Sequence, residues 1–298
     1  MNVPSLKYTR SSLRHLRVPF SLFLLPVYLM ALVLTPGSDL FKAAGIFVSL
    51  HLFLYPGSSG FNAFYDRDRS SIGMLENPPE VTPDLLGLSL LLKTAAVLTA
   101  LSAGPVMACG CLLYAVASVL YSWDRVRIKK HPFAGWLLTG IGQGFVMSVT
   151  MVVSLPATGP ALPSPLQLAG AASVSVMILA ASPLFEIFQH EEDALRGDLT
   201  ISRFAGVRGT LILSGTLFAV STTGLAVIIG STMSGFIVRL FLFSLAPALT
   251  LFIRVLIRFF RRGIAPGYRA VMPIALAASG GLNGFCVAVL LVRFLTRH

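Results

Sequence analysis

The sequence predicts an all-α integral membrane protein, a helical bundle that crosses the bilayer about nine times. Of its 298 residues, 55% are hydrophobic and 12% are charged, about half the charged fraction of a soluble domain. The mean hydropathy is +0.81. Because so few charges cannot solvate a protein surface, most of that surface must face lipid. One crossing needs about 20 apolar residues, and the chain consists largely of such stretches.

This composition excludes a soluble enzyme, a disordered chain and a nucleic-acid-binding module. The formal charge of +11 arises from 23 Lys and Arg against 12 Asp and Glu. In a membrane protein, such an excess reflects basic connections on the cytoplasmic side. A β-barrel would show alternating segments of about ten residues, whereas the apolar runs here are continuous. The three cysteines (Cys109, Cys111 and Cys286) lie inside these runs and are interpreted as small hydrophobic residues.

Nine apolar stretches are long enough to form membrane-spanning helices, and we refer to them as predicted segments 1 to 9. They lie at about 18–35, 40–61, 84–103, 105–122, 134–154, 166–188, 209–230, 235–259 and 271–295. Residues 1–17 form a basic N-terminal arm. Segment 1 is not followed by a cleavage pattern of small residues, and eight further apolar segments come after it. We therefore expect an uncleaved first helix rather than a signal peptide. We expect residues 1–298 to form one transmembrane domain.

The basic residues set the expected orientation. Most Lys and Arg lie in the N-terminal arm and in the connections after segments 2, 4, 6 and 8, whereas the connections after segments 1, 3, 5 and 7 contain none. The positive-inside rule therefore places the N-terminus and the basic connections in the cytoplasm. We expect a multi-pass protein of the cell (inner) membrane with its C-terminus outside.

Segments 2 and 6 end in similar polar sequences. In both, a proline precedes an amide residue by six positions, and an aspartate follows that amide by four. The residues are Pro56, Asn62 and Asp66 at the end of segment 2, and Pro183, Gln189 and Asp193 at the end of segment 6. Because four segments separate the two sequences, both units point the same way. We therefore expect two parallel pseudo-repeats of four helices plus a ninth helix; the alternative is a chance coincidence at two helix ends.

Acidic residues concentrate around these two ends. Residues i and i+4 share a helix face, so each amide and its aspartate present a pair of oxygens together. Acids beside hydrocarbon are costly unless they are compensated, and oxygen ligands favour a hard cation such as Mg²⁺. The expected metal ligands are Asn62, Asp66, Asp68, Gln189, Glu192, Asp193 and Asp198. The alternative is a set of ordinary solvated charges in surface ion pairs.

Basic residues in the same connections indicate a phosphate partner, because guanidinium and ammonium groups bind phosphate oxygens. The expected diphosphate-binding residues are Arg67, Arg125, Lys129, Lys130 and Arg196. A diphosphate headgroup at the cytoplasmic face, with an apolar tail among the helices, fits this pattern.

Three stretches of the sequence resemble motifs of the UbiA superfamily of intramembrane prenyltransferases. The first family motif, NDxxDxxxD, resembles residues 62–70, where Asn62 and Asp66 are kept and two flanking acids are replaced by Ala63 and Ser70. This departure leaves the number of bound Mg²⁺ ions open.

The other two stretches follow segments 6 and 4. Residues 189–200 resemble the family's second motif, a run of spaced acids that ends in Gly-Asp before a Thr. Residues 121–132 resemble its tyrosine-basic segment. The resemblance implies nine helices and a Mg²⁺-bridged polyprenyl diphosphate whose prenyl group is transferred to a small aromatic or lipid-like acceptor. It also implies that Asp66 and Asp193 are the catalytic residues.

Two other functions remain open at this stage. A terpene cyclase on the same scaffold would capture the allylic cation with the substrate's own double bond. A transporter or channel would need a polar path across the whole membrane, whereas most acids here gather at one face. An inactive homologue is a further alternative, in view of Ala63 and Ser70. The sequence leaves open the acceptor, the prenyl chain length and the oligomeric state.

The sequence after Asp66 predicts where the second helix ends. Ser70, Ser71 and Gly73 form a turn-like stretch, and three prolines follow it. Because these residues stop helices, we expect the helix to end by about residue 69. Asn62 and Asp66 would then face Gln189 and Asp193 across a cytoplasm-facing cavity.

Overall fold

The structure, a computed structural model, describes residues 6–296, with side chains described from residue 10 onward. The first five residues of the predicted basic arm lie outside this range. Within it, the chain is helical and contains no strand, only two isolated backbone bridges. Nine helices in the described range are long and apolar enough to cross a membrane. The predicted all-α, nine-helix membrane bundle is therefore confirmed.

We number these helices as spans 1 to 9. They are Arg10–Leu34, Leu40–Asp66, Asp84–Ala103, Pro105–Ser122, Pro132–Ser154, Pro165–Ile187, Ile201–Thr232, Gly235–Arg262 and Tyr268–Leu295. Four spans are built from several helical pieces. The pieces are Leu6–His15, Val18–Phe23 (3₁₀) and Leu25–Leu34 in span 1; Leu40–Phe47, Val48–Leu54 (π) and Tyr55–Asp66 in span 2; Asp84–Ala100 and Leu101–Ala103 (3₁₀) in span 3; and Pro132–Gly140, Ile141–Val146 (π) and Met147–Ser154 in span 5. A short helix, His190–Arg196, follows span 6.

The basic arm predicted at residues 1–17 is not a separate tail where the structure describes it. The Ser12 hydroxyl donates to a carboxylate oxygen of Asp84 at 2.7 Å, and His15 Nε2 lies 2.8 Å from the carbonyl oxygen of Pro79. Span 1 therefore begins earlier than hydropathy predicts, because polar side chains of the arm find partners on the connection after span 2.

Span 2 extends beyond the predicted apolar segment and ends at Asp66. The next residue, Arg67, adopts a left-handed conformation with φ of 50°, which stops the helix because right-handed helical hydrogen bonding cannot continue through it. The prediction that this helix stops by about residue 69 is confirmed. Asn62 and Asp66 lie in its last two turns, so the helix end itself positions them.

Span 7 also begins before its predicted segment, at Ile201 rather than near residue 209. Its first turns are separated from the rest by Gly206, whose φ of 66° and ψ of 171° break the helix. Such a conformation is open to glycine because it lacks a Cβ. The kink lets a short helical stretch follow the acidic connection before the apolar part of the span begins.

The largest core cluster lies where spans 1 to 6 meet span 9 and includes the fully buried Val27, Leu50, Met107 and Met147. Cys111 and Cys286 are buried, whereas Cys109 is exposed on the apolar surface of span 4. All three behave as small apolar residues, as predicted.

Spans 5 and 6 approach closely where Gly144 faces Ser175. A Cβ on Gly144 would lie 2.3 Å from the Ser175 Cα atom. We expect Gly144→Val to destabilise the folded protein by about 1–3 kcal/mol, because overpacking forces backbone shifts. Thermal unfolding in detergent measures this. Gly142→Val is the matched control, since a Cβ at Gly142 meets nothing within 4 Å. Equal destabilisation by both variants would contradict the prediction.

Candidate functional site

Acidic and basic side chains meet at one end of the bundle, and we call them the carboxylate cluster. Span 2 contributes its last residue, Asp66, and the connection after it contributes Asp68. Glu192, Asp193 and Asp198 come from the helix after span 6 and the turn that ends it. All five carboxylates are paired with basic side chains. The ion pairs are made by Arg127, Lys129 and Arg196.

Asp66 is the buried centre of the first motif. One of its carboxylate oxygens accepts from the amide of Asn62 at 2.7 Å. The other accepts from the guanidinium of Arg127 at 3.0 Å and from the ammonium group of Lys129. The Asp66 side chain is 4% exposed, so its charge depends on these partners rather than on water.

Asp198 is held on the opposite side of the same two cations. Arg127 makes a bidentate pair with it, at 2.7 and 2.8 Å, and the Lys129 ammonium lies 3.7 Å away. The chain reaches this position through a left-handed turn at Gly197, with φ of 77°. Asp66 and Asp198, far apart in sequence, therefore share Arg127 and Lys129.

Arg196 joins the two acidic motifs. Its guanidinium lies 2.6 Å from Asp68 and 2.7 Å from Asp193. It also donates to the main-chain carbonyl of Asp66 at 3.3 Å. A single guanidinium thus spans the ends of spans 2 and 6. The two predicted motifs lie on the same side of the bundle, as the sequence analysis expected.

Glu192 fixes the connection after span 2 against the helix after span 6. Its carboxylate accepts from the backbone N–H groups of Arg69, at 3.0 Å, and Ser70, at 2.5 Å. The contact uses the backbone of residues 69 and 70, so it does not depend on which side chain stands at Ser70.

Burial and charge shift the pKa values in the cluster in opposite directions. Burial, followed by repulsion from Asp66, raises the pKa of Asp68 to about 7. Burial also raises the pKa of Asp193, against the opposing attraction of Lys129 and Arg196. Burial by itself would lower the pKa of Arg196, but the surrounding carboxylates outweigh it and raise that pKa. The guanidinium stays charged, whereas Asp68 titrates near neutral pH.

The structure does not bring every predicted residue into the cluster. Arg67, Arg125 and Lys130 are exposed, and none of them forms an ion pair with a carboxylate in the described range. Arg67 and Arg125 instead lie over the rings of Phe64 and Trp123. The directions of these side chains are set by turns of the backbone. Hydropathy does not predict the geometry of such turns.

The two predicted amide ligands have different surroundings. Both polar groups of the Asn62 side chain are used within the protein, since its oxygen accepts from Ser122 at 2.8 Å and its nitrogen donates to Asp66. Gln189 stands just before the helix His190–Arg196, and its side chain does not cap that helix.

Three further residues of the site were not among the predicted ligands. Arg127 occupies the centre of the cluster because a left-handed turn, with φ of 45°, directs it inward. Arg127 and Lys129 both contact Asp66, whereas Arg125 is exposed, so the alternation of basic residues after span 4 does not by itself identify the inward-facing ones. Arg17 faces Asp66 and Asp68 electrostatically.

The third, Glu186, accepts from the backbone N–H of Ser202 at 3.0 Å and interacts electrostatically with Asp193. Glu186 and Arg17 therefore lie beside the carboxylate cluster, whose own bases are Arg127, Lys129 and Arg196.

The residues of the cluster fit a hard divalent cation in ligand type, because their donors are carboxylate oxygens. The cluster's basic side chains lie between the carboxylates, and no three His, Cys, Asp or Glu side chains in the described range are grouped as a metal site. A cation bound here would share Asp68 and Asp193 with Arg196.

An apolar cavity of about 60 Å³ lies next to the cluster, between spans 1, 6, 7 and 9. Phe23 and Phe185 line it, together with aliphatic residues. Phe20 packs against both rings, with centroids 5.2 and 5.7 Å away, and the Arg17 guanidinium lies 4.8 Å from the centre of the Phe20 ring. Charged and apolar regions are therefore continuous from Arg17 to the cavity.

Comparisons with known proteins identify the fold. No protein-family model matches the sequence, and no curated protein sequence matches it. Solved structures do match. A UbiA homologue from Archaeoglobus fulgidus, bound to DMAPP and Mg²⁺, gives a TM-score of 0.68 at 18% identity, covering 95% of this chain and 99% of that one.

Two other solved structures agree. The apo structure of a UbiA homologue from Aeropyrum pernix K1 gives a TM-score of 0.65 at 18% identity, covering 93% of this chain and 99% of that one. A structure of digeranylgeranylglyceryl phosphate synthase gives 0.57 at 15% identity, covering 96% and 98%. The chain has the fold of these proteins, which confirms the fold implied by the sequence resemblance.

Proposed function

We propose that the protein belongs to the UbiA superfamily and is an intramembrane prenyltransferase. It would take a prenyl group from a polyprenyl diphosphate and transfer it to a small aromatic or lipid-like acceptor. The observation that carries the proposal is the position of the carboxylate cluster, at one end of the bundle and next to an apolar, aromatic-lined cavity. A diphosphate and its hydrocarbon tail need that combination of surfaces.

The basic side chains of the cluster are the proposed diphosphate ligands. Arg127 is buried and Arg196 is largely buried, and guanidinium groups bind phosphate oxygens in pairs. Lys129 provides a buried ammonium group. Arg17 adds a guanidinium whose Nε is buried without a hydrogen-bond partner, a donor available to a ligand oxygen. Arg67, Arg125 and Lys130 are exposed and form no ion pair with the cluster in the described range, so the proposal does not include them.

Mg²⁺ is the proposed cofactor, with Asp66, Asp68, Glu192, Asp193 and Asp198 as the residues that would hold it. When bound, it would neutralise negative charge on the diphosphate and make it a better leaving group. The solved A. fulgidus homologue was bound to DMAPP and Mg²⁺, which supports the choice of ion.

The protein's own contribution to the reaction is charge stabilisation and exclusion of water. The allylic carbon–oxygen bond breaks, and both electrons leave with the diphosphate. Arg127, Lys129 and Arg196 stabilise that developing charge because they are already oriented in a buried site. The rings of Phe23 and Phe185 line the cavity and would stabilise the allylic cation.

Asp66 and Asp193 remain the proposed catalytic residues. Asp66 orients Arg127 and Lys129, and Asp193 orients Arg196. The acceptor attacks the allylic carbon and loses a proton to the released diphosphate, which completes the transfer. The apolar lining of the cavity keeps water from competing for the cation.

We further propose that the carboxylate cluster faces the cytoplasm and that the N-terminus lies on the same side of the cell (inner) membrane. The distribution of Lys and Arg among the connections supports this orientation. Reporter fusions after Ser122, at the end of span 4, and after Thr232, at the end of span 7, distinguish it from the reverse orientation. The proposed orientation places the first fusion in the cytoplasm and the second outside.

Ser122→Ala tests the positioning of Asp66. The Ser122 hydroxyl donates to Asn62 at 2.8 Å, and Asn62 donates to Asp66. Loss of one hydrogen bond is worth about 1 kcal/mol, so we expect turnover to fall about fivefold without loss of folded protein. Ser118→Ala, one helical turn away, is the control and should change turnover less than twofold. An unaltered rate in Ser122→Ala would show that this hydrogen bond does not position the site.

The proposed activity itself is tested by mass spectrometry of lipids from cells with and without the protein. A prenylated product that depends on the wild-type protein and is absent with Asp66→Asn supports transfer. A cyclic or rearranged hydrocarbon derived from prenyl diphosphate alone would indicate a cyclase instead. Identical lipid profiles in all three strains, with the protein present in the membrane, would contradict both activities.

A further inference from the structure

The last three turns of span 8 carry four exposed arginines outside the carboxylate cluster: Arg254, Arg258, Arg261 and Arg262. The spacing of four, three and one residues keeps them near one helix face. We call this surface the arginine face. None of the four side chains forms a hydrogen bond or an ion pair within the described residues. The site end of span 8 therefore presents several guanidinium groups without protein anions.

The arginine face extends from the C-terminal end of span 8 back toward the middle of that helix. Arg208, on span 7, lies over the ring of Phe260 at 5.8 Å. Arg254 precedes Phe260 by six residues, which corresponds to about 9 Å along the helix axis. A charge at such a depth is costly unless it meets an anion or reaches toward the headgroups.

The surroundings of Arg254 and Arg258 are apolar and open. Phe243 is 76% exposed and Pro247 is exposed. They lie eleven and seven residues before Arg254, spacings that keep them near its helix face. Only 17% of the most apolar window of span 8 is buried, a smaller share than in any other span of the described chain. The rest of the described chain therefore leaves most of this span uncovered.

We propose that the arginine face binds an anionic phospholipid of the adjacent leaflet. The guanidinium groups of Arg254 and Arg258 hold the phosphate, and an acyl chain runs along Pro247 and Phe243. Guanidinium groups bind phosphate in a bidentate manner, and basic surfaces at membrane depth recognise anionic headgroups. Free phosphate would bind poorly, because it has no acyl chain to contact the apolar side chains of span 8.

The experiment compares two double variants that remove the same charge. The inner pair is Arg254→Gln with Arg258→Gln, and the outer pair is Arg261→Gln with Arg262→Gln. Native mass spectrometry of the purified full chain measures binding of phosphatidylglycerol, with phosphatidylcholine as the reference lipid. We expect the inner pair to weaken phosphatidylglycerol binding about tenfold and the outer pair less than about twofold. Inorganic phosphate at millimolar concentration should not compete.

Equal weakening by the two double variants would overturn the proposal, because diffuse charge attraction does not distinguish depth. Equal affinity of the wild-type protein for the two lipids would also overturn it, and this measurement needs no variant. Arg254→Lys with Arg258→Lys keeps the positive charge but removes the planar guanidinium groups that bind phosphate in a bidentate manner. If the inner glutamine pair does not fold, the lysine pair replaces it, and unchanged phosphatidylglycerol affinity in that variant would count against the proposal.

Discussion

Asp66→Asn should reduce turnover of a prenyl diphosphate by about a hundredfold or more. Asp66 is the carboxylate that holds both Arg127 and Lys129 in place, and asparagine keeps its shape while removing its charge. Loss of one preorganised electrostatic contact to the transition state costs about 3 kcal/mol. A steady-state assay of diphosphate release from purified protein in lipid measures the effect. The same reasoning predicts a comparable loss for Asp193→Asn, which removes the partner of Arg196.

Asp124→Asn provides the matched control for Asp66→Asn. Asp124 also pairs with Arg127, at 3.0 Å, but its side chain is 67% exposed. An exposed ion pair contributes little, so turnover should change less than about twofold. If both variants lost activity equally, pairing with Arg127 would explain the effect better than a role of Asp66 in the reaction.

Arg127→Met should both inactivate and destabilise the protein. Arg127 pairs with Asp66 and, in a bidentate manner, with Asp198, and the two carboxylate side chains are 4% and 1% exposed. Breaking a buried ion pair by removing one partner costs about 3–5 kcal/mol, because the remaining charge is left uncompensated. Thermal unfolding in detergent and the turnover assay measure the two effects separately.

Arg125→Met is the control for this prediction, since it removes the same charge two residues away from an exposed position. Its stability should stay within about 0.5 kcal/mol of the wild-type value. Retention of stability by Arg127→Met would mean that Lys129 alone compensates both carboxylates, and the central place given to Arg127 would be wrong.

The spans were predictable because lipid exposure requires continuous apolar sequence. Their ends were less predictable. Span 2 continues through Asn62 to Asp66 because polar residues in its last turns find partners on span 4 and on the helix that follows span 6, and hydropathy does not record such contacts. Span 1 starts early for the same reason, since Ser12 and His15 bond to Thr82 and Pro79 of the connection that follows span 2.

The site was predictable where it depends on helical spacing. Asn62 and Asp66 are four residues apart and do share a face. It was not predictable where turns decide the direction of a side chain. The left-handed turn at Arg127 directs this residue inward, while Arg125, which was predicted to bind diphosphate, remains on the surface. The parallel repeat and the roles assigned to the acids remain predictions.

The most direct measurement of the central claim is the binding of geranyl diphosphate to the purified protein, because it requires no acceptor. We predict saturable binding in the presence of Mg²⁺, with strong weakening after chelation and in the Arg196→Gln variant. Arg69→Gln, whose exposed side chain lies outside the carboxylate cluster, should bind as the wild type does. Folded wild-type protein that shows no binding of geranyl diphosphate with Mg²⁺ present would contradict the claim that this cluster is a prenyl diphosphate site.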